Sequence, residues 1–354
     1  MGVMSIDCDA HVIETPKTWE YMEPEDRKYQ PVVVRLAGSE QRLQGADEKQ
    51  RQYWAMDGRL VPRERNVGDD TDKATREMED IPARLKHMDE LHVDIQVLFP
   101  SLWLRPITHD PKLELAMARS YNRWTAEVSS KSGGRMRWVV IPPLLSLNNG
   151  SIVRDELVWA KQNGAVGIHM CGYSCDKEMT DPFFQPFFKM AEELDMPICF
   201  HAGNQSFTIH DFHINSDGYP KFKVPVIAAF NSLLLHEIPK RYPGLRWAFA
   251  ETGAMWVPYV LHETWRRYRM RGKSFDMEGA LEANNLFVAA QANEDIPYLA
   301  KVAGENWIMM ATDYGHADTS SEIDAMLKIE QRNEMSDTLK QKVLRDNAAK
   351  FYKL

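Results

Sequence analysis

Asp9 and His11 stand one residue apart in the apolar run Ser5-Ile6-Asp7-Cys8-Asp9-Ala10-His11-Val12. In a strand, residues two apart project to the same face. One carboxylate oxygen and one imidazole nitrogen can then converge on a first-row metal ion, which accepts both at about 2.0–2.2 Å. Alone the pair is a short pattern that also arises by chance on a polar strand end. Its weight comes from other strand ends. Apolar runs later in the chain terminate in His169, His201, Glu251 and Asp313, and His316 follows three residues after the last. Packing does not explain polar residues repeatedly ending buried strands. Carboxylates and imidazoles buried together are costly unless a cation or mutual pairing compensates. Asp9, His11, His201 and Asp313 therefore read as metal ligands. Glu251 reads as a further ligand or a general base, and His316 as a ligand, a hydrogen-bonding support or a substrate contact. His169 reads as an acid/base group or, equally, a core histidine. His210 and His213 fall in a polar stretch that reads as loop, where solvated histidines are the simpler account.

The elements that must position these residues alternate. Strands are expected near 5–12, 94–100, 136–141, 165–170, 196–201, 245–251, 285–290 and 307–313. Between them lie helix-periodic segments such as 74–92, 111–130 and 151–162. The strands are continuous apolar runs, as in a parallel sheet buried on both faces. Eight such units predict an α/β fold, a closed (β/α)₈ TIM barrel, with the polar strand ends gathered at one mouth. A doubly wound open sheet is the competing arrangement, but no glycine-rich phosphate turn follows the first strand. The segment of roughly 15–75 is polar and aperiodic and reads as an insertion of loops and a small hairpin after the first strand. The whole of 1–354 is expected to form one domain.

Composition narrows the function classes. The chain has 354 residues, 44% of them hydrophobic, and a net charge of -8. No basic stripe suggests nucleic acid. No apolar run is long enough to span a membrane, and no signal peptide is visible. Four scattered cysteines suit reduced, buried thiols and a cytoplasmic location better than a disulfide framework. Cys171 and Cys175 lack the second pair that a zinc site would need. Trp54, Trp103, Trp256 and Tyr173 are candidates to line an apolar pocket; no basic cluster near the expected barrel mouth identifies a CoA site, with Arg63 and Arg105 the loop residues that could serve one. A small-molecule substrate is expected.

Seven segments in order resemble the amidohydrolase-2 family, which includes aminocarboxymuconate semialdehyde decarboxylase and resorcylate-type decarboxylases. They are Asp7–Glu14, Ala83–Glu90, Thr180–Phe184, Pro197–His201, Tyr242–Arg246, Thr312–His316 and Asp346–Tyr352. The resemblance implies a metal held by Asp9, His11, His201 and Asp313. The family's usual histidine after the sixth strand is here Glu251. The stretch from Glu251 to Tyr259 is more similar to a sub-branch of TIM-barrel non-haem di-metal monooxygenases. That likeness implies Asp9, His11, His201, Glu251, Asp313 and His316 around two ions, iron or iron with manganese. It implies O₂-dependent hydroxylation of a small organic or acyl substrate. The alternative is a single zinc or manganese ion in a hydrolase or non-oxidative decarboxylase acting on a small carboxylated substrate, with Glu251, His169 or His316 handling protons. The family also implies a homo-oligomer, or a hetero-oligomer with a related barrel.

Overall fold

The computed structural model describes residues 5–35, 52–63 and 66–354. Eight parallel strands pair in chain order: β1 Ile6–Val12, β2 Ile95–Pro100, β3 Met136–Val140, β4 Ala165–Cys171, β5 Ile198–His201, β6 Trp247–Ala250, β7 Leu286–Ala290 and β8 Ile308–Met310. The ring closes where Asp313 N donates to Asp9 O at 3.0 Å and His11 N donates to Tyr314 O at 2.7 Å. The helices following the strands are α1 Ile81–Glu90, α2 Pro111–Ser130, α3 Gly150–Gln162, α4 Gln185–Glu193, α5 Val224–Leu235, α6 Val257–Met270, α7 Ile296–Ala303 and α8 Ala325–Gln331. This is the (β/α)₈ barrel expected from the alternation of apolar runs.

The residues divide into two buried layers. Ile6, Cys8, Val97, Phe99, Ala248 and Met309 fill the barrel interior. Val12, Leu98, Met170, Phe200 and Val288 face the helices. The interior is closed at its floor by a C-terminal helix, Asn347–Tyr352. Phe351 and Tyr352 join the interior cluster, and Tyr352 Oη donates to Cys8 O at 3.0 Å.

Three local results differ from the sequence reading. The segment after β1 holds a three-stranded antiparallel sheet, Val32–Arg35, Gln52–Met56 and Arg59–Pro62, rather than loops with a single small hairpin; residues 36–51 and 64–65 of the insertion lie outside the described residues. The polar stretch carrying His210 and His213 is not all loop. Ser206 caps a short helix, Phe207–Phe212, through a bond from Ile209 N. Finally, β6 and β8 stop earlier than expected. Glu251 and Asp313 lie just beyond them with φ of 60° and 54°, so each carboxylate sits in a left-handed turn rather than on a strand.

The seam between β1 and β8 is held by a buried polar network. The Asp7 carboxylate accepts from Thr312 N at 3.0 Å and from Thr312 Oγ1 at 2.5 Å. Burial pushes the Asp7 carboxyl up to about 7, against those hydrogen bonds. Gln96 Nε2 donates to Asp7 at 3.3 Å, and Arg84 Nε donates to Gln96 Oε1 at 3.0 Å. Arg84, fully buried on α1, also donates to His11 O at 3.0 Å and lies over the Tyr314 ring. One guanidinium thus ties α1 to β1, β2 and the turn after β8. Replacing it strands several buried acceptors, which costs about 3 kcal/mol or more. The Arg84→Met variant is expected to lose that much in urea unfolding; a loss under ~0.5 kcal/mol, the range of an ordinary surface change, would show that the network does not hold the seam.

Candidate metal centre

The two barrel-mouth residues of β1 owe their direction to an irregularity. Ile6 and Cys8 point into the barrel. Strict alternation would turn Ala10 and Val12 inward and Asp9 and His11 outward. The register with β2 shifts between Asp7 and Ala10, and beyond it Ala10 and Val12 belong to the outer layer. The bulge reverses the parity and sends Asp9 and His11 inside, a common way of re-aiming side chains at functional sites. Glu251 is re-aimed differently. Ala248 and Ala250 face inward, so the next residue would face out; the left-handed turn at Glu251 brings its carboxylate back over the mouth.

The donors converge closely. His201 Nε2 lies 3.1 Å from Asp9 Oδ1, 3.1 Å from Glu251 Oε2 and 3.0 Å from His11 Nε2. His11 Nε2 lies 3.5 Å from Asp9 Oδ1, 3.4 Å from Asp313 Oδ1 and 3.8 Å from Glu251 Oε2. His316 Nδ1 lies 3.0 Å from Asp313 Oδ1, and its ring stacks on His11 at 3.7 Å. Two overlapping groups result: Asp9, His11, His201 and Glu251, and His11, Glu251, Asp313 and His316. Within each, the ligand atoms all lie within 4.8 Å of one another.

The hydrogen bonds around these rings fix where their lone pairs point. His11 Nδ1 is 3.1 Å from Pro100 O, and His201 Nδ1 is 2.9 Å from Ala202 O. A carbonyl only accepts, so each Nδ1 carries the proton and each neutral Nε2 presents a lone pair to the cluster. Two lone pairs 3.0 Å apart repel, unless a cation lies between them. His316 is set the same way. Ser101 Oγ donates to Val12 O at 2.9 Å and so accepts from His316 Nε2 at 2.8 Å, which leaves Nδ1 as the lone-pair atom. Asp9 Oδ2, Glu251 Oε2, Asp313 Oδ1 and His316 Nδ1 are buried without a hydrogen-bond partner. Oxygen and imidazole donors that are buried, unpartnered and convergent fit a divalent metal ion.

Without a cation the charges are frustrated. Burial, then Asp313, Asp318 and Asp9, hold the Glu251 carboxyl well above the usual carboxylate range. Burial, and then His316 and His201, hold His11 well below the ordinary imidazole range. Ser321 Oγ supports the set by donating to Asp313 Oδ2 at 2.6 Å.

Of the residues expected at the site, Asp9, His11, His201, Glu251, Asp313 and His316 are brought together. His169 is not among them. It pairs in register with Cys199, a layer below His201, with its ring centroid 5.9 Å from the His201 ring. Burial lowers it to about 3, a neutral core imidazole. Trp54 lines a small cavity with His316, whereas Trp256 packs on Phe230 and Phe249. Beside the cluster is a cavity of about 620 Å³ whose wall includes Glu251, Arg105, Lys221 and Lys223. The sequence reading singled out Arg105 but missed both lysines. The hydroxyl run Thr319-Ser320-Ser321 after β8 was the signal for Ser321; nothing in the sequence marked the lysines.

The family model described as amidohydrolase matches residues 6–354, and the chain belongs to that family. No curated protein matches it. Among solved structures it is similar to an amidohydrolase from Mycobacterium avium subsp. paratuberculosis K-10, at 18% identity and a TM-score of 0.75, covering 99% of this chain and 98% of that one. It is also similar to 5-carboxyvanillate decarboxylase from Novosphingobium aromaticivorans DSM 12444, solved with manganese and 4-hydroxy-3-methoxy-5-nitrobenzoic acid, at 20% identity and a TM-score of 0.70, covering 100% and 97%. A third is 4-oxalomesaconate hydratase from Rhodopseudomonas palustris, at 20% identity and a TM-score of 0.66, covering 99% and 96%.

A ligand that binds only the folded site stabilises it in proportion to its occupancy. Manganese added to chelator-treated protein at about a hundred times its dissociation constant is expected to stabilise it by about 2.7 kcal/mol, and the His201→Ala variant should show no such gain. Identical melting of the parent with and without the ion would rule out the site.

Proposed function

We propose that this amidohydrolase-family barrel is a metal-dependent lyase whose best reading is non-oxidative decarboxylation of a small carboxylated substrate. One observation carries the reading: Glu251, in contact distance of His201, also forms part of the wall of the large cavity. A carboxyl group therefore stands where the donor cluster meets the space for substrate. The decarboxylase and hydratase among the similar folds support chemistry that needs no oxidant.

Asp9, His11, His201 and Asp313 would hold the divalent ion, which supplies positive charge to a substrate carboxylate or adjacent oxygen. The chain's own part is proton handling. As the carbon–carboxylate bond breaks, the electron pair stays on carbon and carbon dioxide leaves. Glu251 Oε2 delivers a proton to that carbon, and its anion is reprotonated from solvent through the cavity. The place of Glu251 between the donor cluster and the cavity fits it to hand a proton to a carbon held there.

The six-donor set favours a second reading, a binuclear iron-containing oxygenase, since two groups of four sharing His11 and Glu251 exceed what one tetrahedral ion needs. The two readings part on metal content and oxygen. Incubated without O₂ with carboxylated phenols and unsaturated di-acids, manganese- or zinc-loaded protein is expected to release carbon dioxide. The Glu251→Gln variant should lose about 10²–10⁴ in kcat while Asp9, His11, His201 and Asp313 keep metal bound. Two ions per chain including iron, with oxygen consumed in step with substrate, would replace the lyase reading by the oxygenase.

A further inference from the structure

Glu251 occupies a backbone conformation that it does not hold by itself. Its φ of 60° and the φ of 64° at Gly253 put two left-handed residues in the turn between β6 and α6. A residue other than glycine stays in that region only where its neighbours enforce it. One constraint comes from the segment after β8. Lys223 Nζ donates to Ser320 Oγ at 2.7 Å. An ammonium only donates, so the Ser320 hydroxyl directs its own proton to Glu251 O, at 3.0 Å. That bond fixes the Glu251 carbonyl. The other end of the turn is held from β7.

The group that holds it is Glu294, in the turn that follows β7. Ala254 N donates to its Oε1 at 2.8 Å and to its Oε2 at 2.9 Å, and Met255 N donates to Oε1 at 2.9 Å. Gln291 N, in the same turn as Glu294, donates to Oε2 at 2.9 Å. One carboxylate thus accepts from three backbone amides, and bonds to a carboxylate are stronger than bonds to a neutral acceptor. The close fit depends on Gly253, where a Cβ would lie 2.6 Å from Glu294 Oε1. The Glu294 backbone is itself braced. Arg332, just past α8, donates to Glu294 O at 2.6 Å and to Ala292 O at 3.1 Å, and Gln291 Nε2 donates to Thr319 O at 3.0 Å. The segments after β6, β7 and β8 are therefore joined behind Glu251, with Glu294 at the joint. Glu294 stands outside the residues that line the large cavity.

We infer that Glu294 is a positioning residue: by clamping the amides of Ala254 and Met255 it holds Glu251 over the barrel mouth, where the Glu251 carboxylate meets both His201 and the cavity. The inference rests on the lyase reading only in taking Glu251 as the group that serves the substrate. The clamp needs an acceptor at both carboxylate oxygens. Glutamine in the same place offers one oxygen and one NH₂ group. Ala254 N–H lies between the two positions and meets the NH₂ group whichever way the amide turns, together with either Met255 N–H or Gln291 N–H. The turn is then pushed off Glu294, and Glu251 is released from its left-handed conformation. A displacement of about 1 Å suffices to cost about 10² in rate.

The crystal structure and the kinetics of the Glu294→Gln variant test this together. In the crystal, Glu251 is expected to leave the left-handed region and its carboxylate to leave contact distance of His201. In manganese-loaded protein, kcat is expected to fall about 10²-fold with KM nearly unchanged, because the altered side chain does not reach the cavity. The same substitution made in the Glu251→Gln variant should cost almost nothing further, since residues that act as one unit are not additive. A substitution that only loosened the fold would cost the same in both backgrounds. Should Glu294→Gln not fold, Glu294→Ala, which leaves the amides to water, carries the same readouts. A folded variant in which Glu251 stays in place, or whose loss of kcat is equal with and without the Glu251 carboxylate, overturns the inference. A parent that releases no carbon dioxide removes the lyase reading instead, and the position of Glu251 in the crystal structure of the variant still decides the role of Glu294.

Discussion

Three carboxylates and three imidazoles face one another in the mouth of this barrel, nearly all of them sealed from water. Like charges at such distances cannot all persist in a medium of low effective dielectric. A cation resolves the conflict, and the orientation of each ring shows that the site is prepared for one. Pro100, Ala202 and Ser101 each take a ring proton on the outer side and so aim a lone pair inward. None of these three partners needs to touch the ion to decide how well it is bound.

Much of the local backbone serves that convergence. The β1 bulge turns Asp9 and His11 inward, and the left-handed turns at Glu251 and Asp313 bring two more carboxylates over the mouth. Left-handed conformations at non-glycine residues cost of order 1–3 kcal/mol each, so they persist only where surrounding contacts enforce them. Ser320 Oγ donates to Glu251 O, and Asp313 N donates to Asp9 O. The second bond is also part of the seam that closes the ring, so barrel closure and site geometry share an interaction. The Asp7–Thr312 pair lies directly beneath it.

The barrel was legible because its strands are unbroken apolar runs and its helices keep their period; α2 spans Pro111–Ser130, the stretch its periodicity indicates. The donor set was legible because polar residues end those runs. What escaped was everything set by tertiary contact. No residue pattern announces a bulge between Asp7 and Ala10, since it is a property of the pairing with β2. His169 ends an apolar run like His201, yet β4 continues to Cys171 and leaves it a layer lower. Lys221 and Lys223 look like any solvated charges at the start of a helix. Only the fold shows that they line the same cavity as Glu251. The insertion hid its third strand because short, twisted edge strands carry little periodic signal.

The helix Asn347–Tyr352 has an effect on how the protein is made. The interior beneath Asp9 is lined in part by Phe351 and Tyr352, residues that follow all eight strands in the chain. Asn347 Nδ2 donates to Ile308 O, and Arg246 Nε to Phe351 O, so this helix bolts β6 and β8 to the floor as well. A ribosome extruding the chain from its N-terminus releases every donor, His316 included, before the piece that closes the barrel from below. Until that helix docks, the nascent barrel is open at its base, and carboxylates destined for a dry pocket remain hydrated. The dry surroundings of the centre thus depend on six residues lying at the opposite end of the barrel from the ligands.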